Sequence, residues 1–141
     1  MQDLRNRLVE TALLWERAFG NAPSITSALS EYDASVLIGC PIDVYSTSMQ
    51  GITSVQRGHD FVFCGKKYQV KANRPSGKPG SRVTWVPKAL NYEWDFLIWI
   101  LYNPKYEIQE AWLWETAQYV AAFETVKRLS PSHLRQGTQL A

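Results

Sequence analysis

The sequence predicts a single domain of 141 residues of the α/β class, with α+β as the alternative, and with a central mixed β-sheet flanked by helices. Three observations support this fold class. An amphipathic stretch opens the chain, β-forming residues alternate around a turn near its middle, and a nearly uninterrupted apolar run follows from Trp94 to Tyr102. A second amphipathic stretch comes later, so the predicted order is helix, hairpin, two strands and helix.

The first predicted element is an amphipathic helix from about Asp3 to Phe19, because its apolar residues recur at three- and four-residue spacings. Gly20-Asn21 ends it. The polar stretch Asn21 to Ser30 is predicted to be a loop. Tyr32 to Ile42 fits either a short helix or a strand, and Ser46 to Gly58, rich in Ser, Thr, Gln and Gly, is predicted to be a loop.

The clearest hairpin lies between Asp60 and Asn73, where aromatic and β-branched residues alternate with polar ones. Gly65-Lys66 fits a two-residue turn with Gly first, and this register places Asp60 opposite Lys71. Because side chains alternate between the two faces of a strand, Asp60, Gln69 and Lys71 are expected to project from one face.

The remaining segments follow the same rules. Arg74 to Lys88 contains three prolines and two glycines, which predicts an extended loop. The apolar run suits a strand buried on both faces, and Tyr106 to Trp114 is predicted to be the next strand. Glu115 to Leu129 is predicted to be helical, with a further helical turn over Ser132 to Arg135 and a frayed tail beyond Gly137.

Positive charge is concentrated in the middle of the chain, although the net charge is only +2. Between Phe61 and Tyr92 there is no Asp or Glu, while seven basic residues occur there. A field of one sign attracts polyanions such as nucleic acids. The alternative is a solvated basic loop that contacts nothing.

The hairpin residues carry the chemistry needed to hydrolyse phosphodiesters. Mg²⁺ prefers hard oxygen ligands, which Asp60, the Gln69 amide and the Val70 carbonyl can supply. A bound divalent cation neutralises phosphate and lowers the pKa of a bound water. Lys71 can orient that water or offset charge that builds on the phosphate.

Gly58-His59-Asp60, then eight residues, then Gln69-Val70-Lys71 resembles the D…(D/E)-x-K motif of the PD-(D/E)XK nuclease superfamily. The Gln form is similar to the variant in Mrr-type restriction nucleases. The resemblance extends from Trp15 to about Glu115, with the motif in 58–73 and the basic loop in 74–88. It implies a single restriction-endonuclease-like domain over residues 1–141.

The resemblance also implies roles for individual residues. Asp60 would be a metal ligand, Gln69 a weaker one and Lys71 the catalytic lysine. In that family a helix before the sheet often supplies another acid. Glu16 could be that acid, and Glu31 and Asp33 are the alternatives.

Basic residues around the motif are candidate contacts for DNA phosphates. These are Arg57, Arg74, Lys78, Arg82 and Lys88. Trp85, inside the basic loop, is a candidate stacking platform for a base, and burial in a core or an interface is the alternative.

The predicted function is a Mg²⁺- or Mn²⁺-dependent DNA endonuclease of restriction or repair type, acting as a homodimer to cut both strands. Two alternatives stay open: a nucleic-acid-binding module with an inactive site, and a protein-interaction domain whose Trp-rich strands form an interface. No apolar stretch reaches membrane-spanning length and no signal peptide is evident, so a cytoplasmic protein with no membrane partner is expected.

Overall fold

The computed structural model describes residues 1–51 and 58–141. The helices in this part of the chain are α1 (Gln2–Phe19), α2 (Thr26–Leu37), α3 (Ile42–Gln50), α4 (Thr116–Phe123) and α5 (Pro131–Leu134). The strands are β1 (Phe61–Phe63), β2 (Lys66–Asn73), β3 (Phe96–Tyr102), β4 (Ile108–Glu115) and β5 (Thr138–Gln139). None of these helices has the length and apolar character needed to cross a bilayer.

The five strands form one mixed sheet in the order β1-β2-β3-β4-β5. β2 and β3 are parallel and the other neighbours are antiparallel. The predicted α/β class, with a mixed sheet flanked by helices, is therefore confirmed, and it is consistent at this general level with a restriction-endonuclease-like fold.

The sheet separates two hydrophobic cores. Ile98 and Ile100 of β3 point into a core that also contains residues of α1, α2 and α3. Leu97 and Trp99 point to the opposite face, against α4, α5 and the segment before β3. β3 is thus buried on both faces, as its continuous apolar sequence predicts.

The hairpin turn lies one residue earlier than predicted. Cys64 and Gly65 both have positive φ angles, 52° and 73°, which is the type I′ geometry that matches strand twist. Phe61 consequently pairs with Tyr68, a register two residues away from the predicted one. A shift of two preserves the face of every side chain in the paired strands. Asp60 lies before the paired residues, and its amide bonds to the Tyr68 carbonyl rather than pairing with Lys71.

Two predicted loops contain helical segments. α2 begins at Thr26, inside the predicted loop Asn21 to Ser30, and α3 covers the start of the predicted loop Ser46 to Gly58. α3 buries only Tyr45, whose ring packs edge-on against Phe61 at a centroid distance of 5.6 Å. A helix that buries a single side chain leaves little apolar periodicity to detect, because packing rather than propensity stabilises it.

The chain after β4 also differs from the prediction. α4 ends at Phe123 rather than Leu129. The tail is not frayed, since β5 pairs with β4 and the Leu140 amide donates to the Ala111 carbonyl at 2.8 Å. Its short polar sequence contains no strand pattern, so only pairing with β4 orders it.

A buried ion pair ties α2 to α1 and the sheet. Both carboxylate oxygens of Asp33 accept bonds from Arg5, at 2.6 and 2.8 Å, and the Tyr102 hydroxyl donates to the same carboxylate at 2.6 Å. The Asp33 side chain is only 5% exposed. Asp33 is therefore a structural residue, and its oxygens are already used.

We predict that Asp33→Ala lowers the free energy of unfolding by about 3–5 kcal/mol, because it leaves Arg5 buried without its partner. Arg135→Ala is the matched control, since Arg135 also forms a two-bond ion pair, with Glu110, but is 45% exposed. Its cost is expected to be at most about 1 kcal/mol. Urea unfolding measures both, and equal losses would contradict the structural role given to Asp33.

Candidate active site

Asp60 lies just before β1 and is held against the edge of β2. Its backbone amide donates to the Tyr68 carbonyl at 2.7 Å, and its Oδ2 accepts from the Val70 amide at 2.7 Å. The side chain thus continues the hairpin hydrogen bonding beyond the end of β1. This pins the carboxylate to the middle of β2.

Glu31 on α2 brings a second carboxyl group to the same place. Its side chain is in hydrogen-bond contact with that of Asp60. Burial, followed by the charge and hydrogen bond of Asp60, raises the pKa of Glu31 to about 7. Burial also raises the pKa of Asp60, although the Val70 amide, Glu31 and Lys71 favour its ionised form. The pair therefore holds a proton more readily than a carboxyl group in water does.

β2 contributes the other polar groups. Lys71 is close enough to Asp60 for its charge to act on that carboxylate. Gln69 and Lys71 are both half-buried and, by strand alternation, share a face. Since the amide and carbonyl of one strand residue point to the same side, the Val70 carbonyl also faces the edge where Asp60 lies.

Tyr45 of α3 is a neighbour that sequence analysis missed. It is 9% exposed, and burial together with the charges of Glu31 and Asp60 raises the pKa of its hydroxyl. Nothing in the sequence signals this role, because Tyr45 lies just before a segment predicted to be loop. His59 precedes Asp60 in the chain, and its charge favours the ionised form of the Asp60 carboxyl group.

The carboxyl groups of Asp60 and Glu31 are the groups at this place that could hold a divalent cation. Two carboxyl groups in hydrogen-bond contact need a proton or another positive charge between them, and a cation can replace the proton. The Val70 carbonyl offers a neutral oxygen at the same edge of β2. No group of three or more His, Cys, Asp or Glu gathers within residues 1–51 and 58–141.

Glu16 does not join these residues. Its two carboxylate oxygens accept bonds from the Arg74 guanidinium, each at 2.9 Å. Of the three candidate acids, the structure brings Glu31 to Asp60 and commits Glu16 and Asp33 to arginines. Arg74, a predicted phosphate contact, is only 8% exposed at its side chain and is occupied by this ion pair.

The other predicted DNA contacts have different environments. Lys78 and Arg82 are exposed. The Lys88 ammonium donates to the carbonyls of Glu124 and Val126, at 3.1 and 2.9 Å, and so caps the end of α4. Arg57 lies outside the described residues.

Trp85 is 48% exposed, and its backbone carbonyl accepts from the Asn73 side chain at 3.0 Å. The indole is therefore accessible on a segment tied to the end of β2. That position is compatible with stacking on a base.

In comparisons with protein-family models and with curated proteins, the chain matches none.

We predict that Glu31 makes the metal-free protein less stable as pH rises. An acid whose pKa is higher in the folded state than in the unfolded state stabilises the fold in its protonated form. The stabilisation is complete below the unfolded pKa of 4.5, and it is lost as the pH rises through about 7. The thermal midpoints of wild type and Glu31→Gln, measured in EDTA between about pH 5 and pH 8, should diverge, with the wild type falling relative to the variant. Parallel curves would contradict the carboxyl pair.

Proposed function

We propose that the protein is a Mg²⁺- or Mn²⁺-dependent nuclease that hydrolyses phosphodiester bonds in DNA, of restriction or repair type. The observation that carries this proposal is the contact between the carboxyl groups of Glu31 and Asp60 beside Lys71. Carboxylates paired at a solvent-accessible strand edge with a lysine are an arrangement suited to phosphoryl chemistry.

Each side chain has a distinct role in this reaction. Asp60 and Glu31 would hold the cation, with the Gln69 amide and the Val70 carbonyl as neutral ligands. When bound, the cation neutralises the scissile phosphate and lowers the pKa of a water. Lys71 orients the attacking water through a hydrogen bond and offsets the charge that builds on the phosphate.

DNA is the proposed substrate because cations follow the site along the chain. Lys78 and Arg82 are exposed in the loop that leaves the end of β2. Lysine and arginine there would bind phosphates with an affinity that falls steeply as salt rises. Cutting both strands would need two copies of one site, so we propose a homodimer, working in the cytoplasm.

Gln69 favours one competing function. A neutral residue in place of an acid removes one negative charge from the metal site and weakens cation binding. A nucleic-acid-binding domain that does not cut is therefore the second candidate.

We predict that the protein nicks or cuts plasmid DNA with Mg²⁺ or Mn²⁺, and that Asp60→Asn and Lys71→Ala each reduce the rate by about 100-fold or more. Lys67→Ala is the matched control, since Lys67 lies on the same face of β2 four residues away and is exposed. Its rate is expected to stay near that of wild type. Cutting retained in both site variants would contradict the assignment, and DNA binding without cutting would favour the second candidate.

We also predict that Gln69→Glu increases the affinity of the site for Mg²⁺. A third acid restores one negative charge, so half-maximal cleavage should need less Mg²⁺ than in wild type. Titrating Mg²⁺ in the plasmid assay measures this change. An unchanged or higher Mg²⁺ requirement would place Gln69 away from the cation.

A further inference from the structure

We propose that a second cleft binds the phosphodiester backbone of the DNA, with Arg17, Lys78 and Lys105 as its contacts. This cleft, named here the α1 cleft, lies between the end of α1, the start of the basic loop and the turn from β3 to β4. The inference rests on the proposed function for the class of ligand, and it assigns Arg17 and Lys105, two cations outside the hairpin motif and the basic loop.

The α1 cleft has a volume of about 690 Å³. This is the size of a typical small-ligand site and larger than one phosphate requires. Its walls come from three separate segments, with Arg17 on α1, Lys78 on the loop and Lys105 on the turn. A stretch of sugar-phosphate backbone can therefore contact all three.

The charge of the α1 cleft is strongly positive. Four cations and one acid line it, and the acid, Glu16, is already neutralised by Arg74. Arg17, Lys78 and Lys105 are exposed. None of their side chains has an ion pair or hydrogen bond to another described residue. Three unpaired cations facing one cleft are suited to a polyanion.

The walls of the α1 cleft are held in place before any ligand binds. The Arg74 guanidinium lies 4.3 Å above the centre of the Tyr106 ring and donates to the Pro104 carbonyl. Gly77 packs directly on Glu16, since a Cβ there would lie 2.7 Å from Glu16 Oε1. These contacts join helix, loop and turn, so Lys78 and Lys105 extend from fixed backbone.

Acidic residues limit the site on one side. Glu10 and Glu107 line the adjoining groove, which also includes Arg17 and Lys105. They would repel a phosphate there, which directs the backbone toward the Lys78 side of the α1 cleft.

The position of the α1 cleft suits a strand that also reaches the carboxyl pair. Arg74 follows Val70 by four residues, which is about 13 Å along a β-strand. One strand of B-form DNA carries a phosphate about every 3.4 Å of helix axis. A strand bound at both places would thus contact the α1 cleft a few nucleotides from the bond that is cut.

The test measures binding in a background that does not cut. Lys71→Ala protein is titrated into a fluorescent DNA duplex, and the same is done after adding Arg17→Ala and Lys105→Ala together. We expect affinity to fall by about 10-fold or more, and the slope of log affinity against log salt to decrease by about two. Adding Lys127→Ala and Arg128→Ala instead, two exposed cations after α4, should change neither quantity.

The outcomes separate this inference from the proposed function. Equal binding by the cleft variant and its control would overturn the inference, whether or not the wild type cuts DNA. Loss of DNA binding in the cleft variant supports the inference even if the wild type does not cut DNA. Absence of cleavage would then contradict only the proposed nuclease activity. Arg17→Lys with Lys105→Arg keeps both charges and should retain binding; loss in that variant would overturn the charge argument.

A second measurement distinguishes DNA from a free anion. Inorganic phosphate is added to the DNA complex, with chloride at the same ionic strength as the comparison. Equal displacement by the two salts supports a DNA-backbone site. Displacement by phosphate alone at millimolar concentration would show a small-anion site and overturn the assignment to DNA.

Discussion

The hydrogen bond from the Val70 amide to the Asp60 carboxylate is the constraint on which the candidate site depends. β1 is only three residues long, so backbone pairing stops before it reaches Val70. A side-chain oxygen takes the place of the missing carbonyl, which satisfies a strand amide that would otherwise lack a partner. The same bond holds a carboxylate at the edge of the sheet, where α2 can bring Glu31 to it.

Two ion pairs determine which acidic residues remain available to contact Asp60. Asp33 is bound by Arg5 and Tyr102 in the interior, and Glu16 is bound by Arg74 at the end of β2. Each pair joins α1 to another part of the domain, so each contributes to the fold. Of the three candidate acids, this leaves Glu31 to contact Asp60.

The sequence predicted the sheet and α1 better than it predicted α2 and α3. Alternation in the hairpin and the apolar run of β3 each depend on a pattern of several residues, and both strands were found close to their expected positions. α2 and α3 depend on contacts such as Tyr45 with Phe61, which join residues far apart in the chain. The hairpin turn was displaced by one residue because Cys64 adopts a positive φ, an uncommon conformation for a residue other than glycine.

Strand periodicity determined that Gln69 and Lys71 share a face of β2, because a two-residue change of register leaves every side chain on its side. It did not determine the position of Asp60, which lies before β1. Tertiary structure decided which acid contacts Asp60 and which cations stay free. From the sequence alone, Glu16, Glu31 and Asp33 are equally good candidates for the helix acid. Arg74 and Lys78 are likewise equally good candidates for phosphate contacts. They differ only in whether folding places an opposite charge within bonding distance, and that depends on how α1 and α2 pack against the sheet.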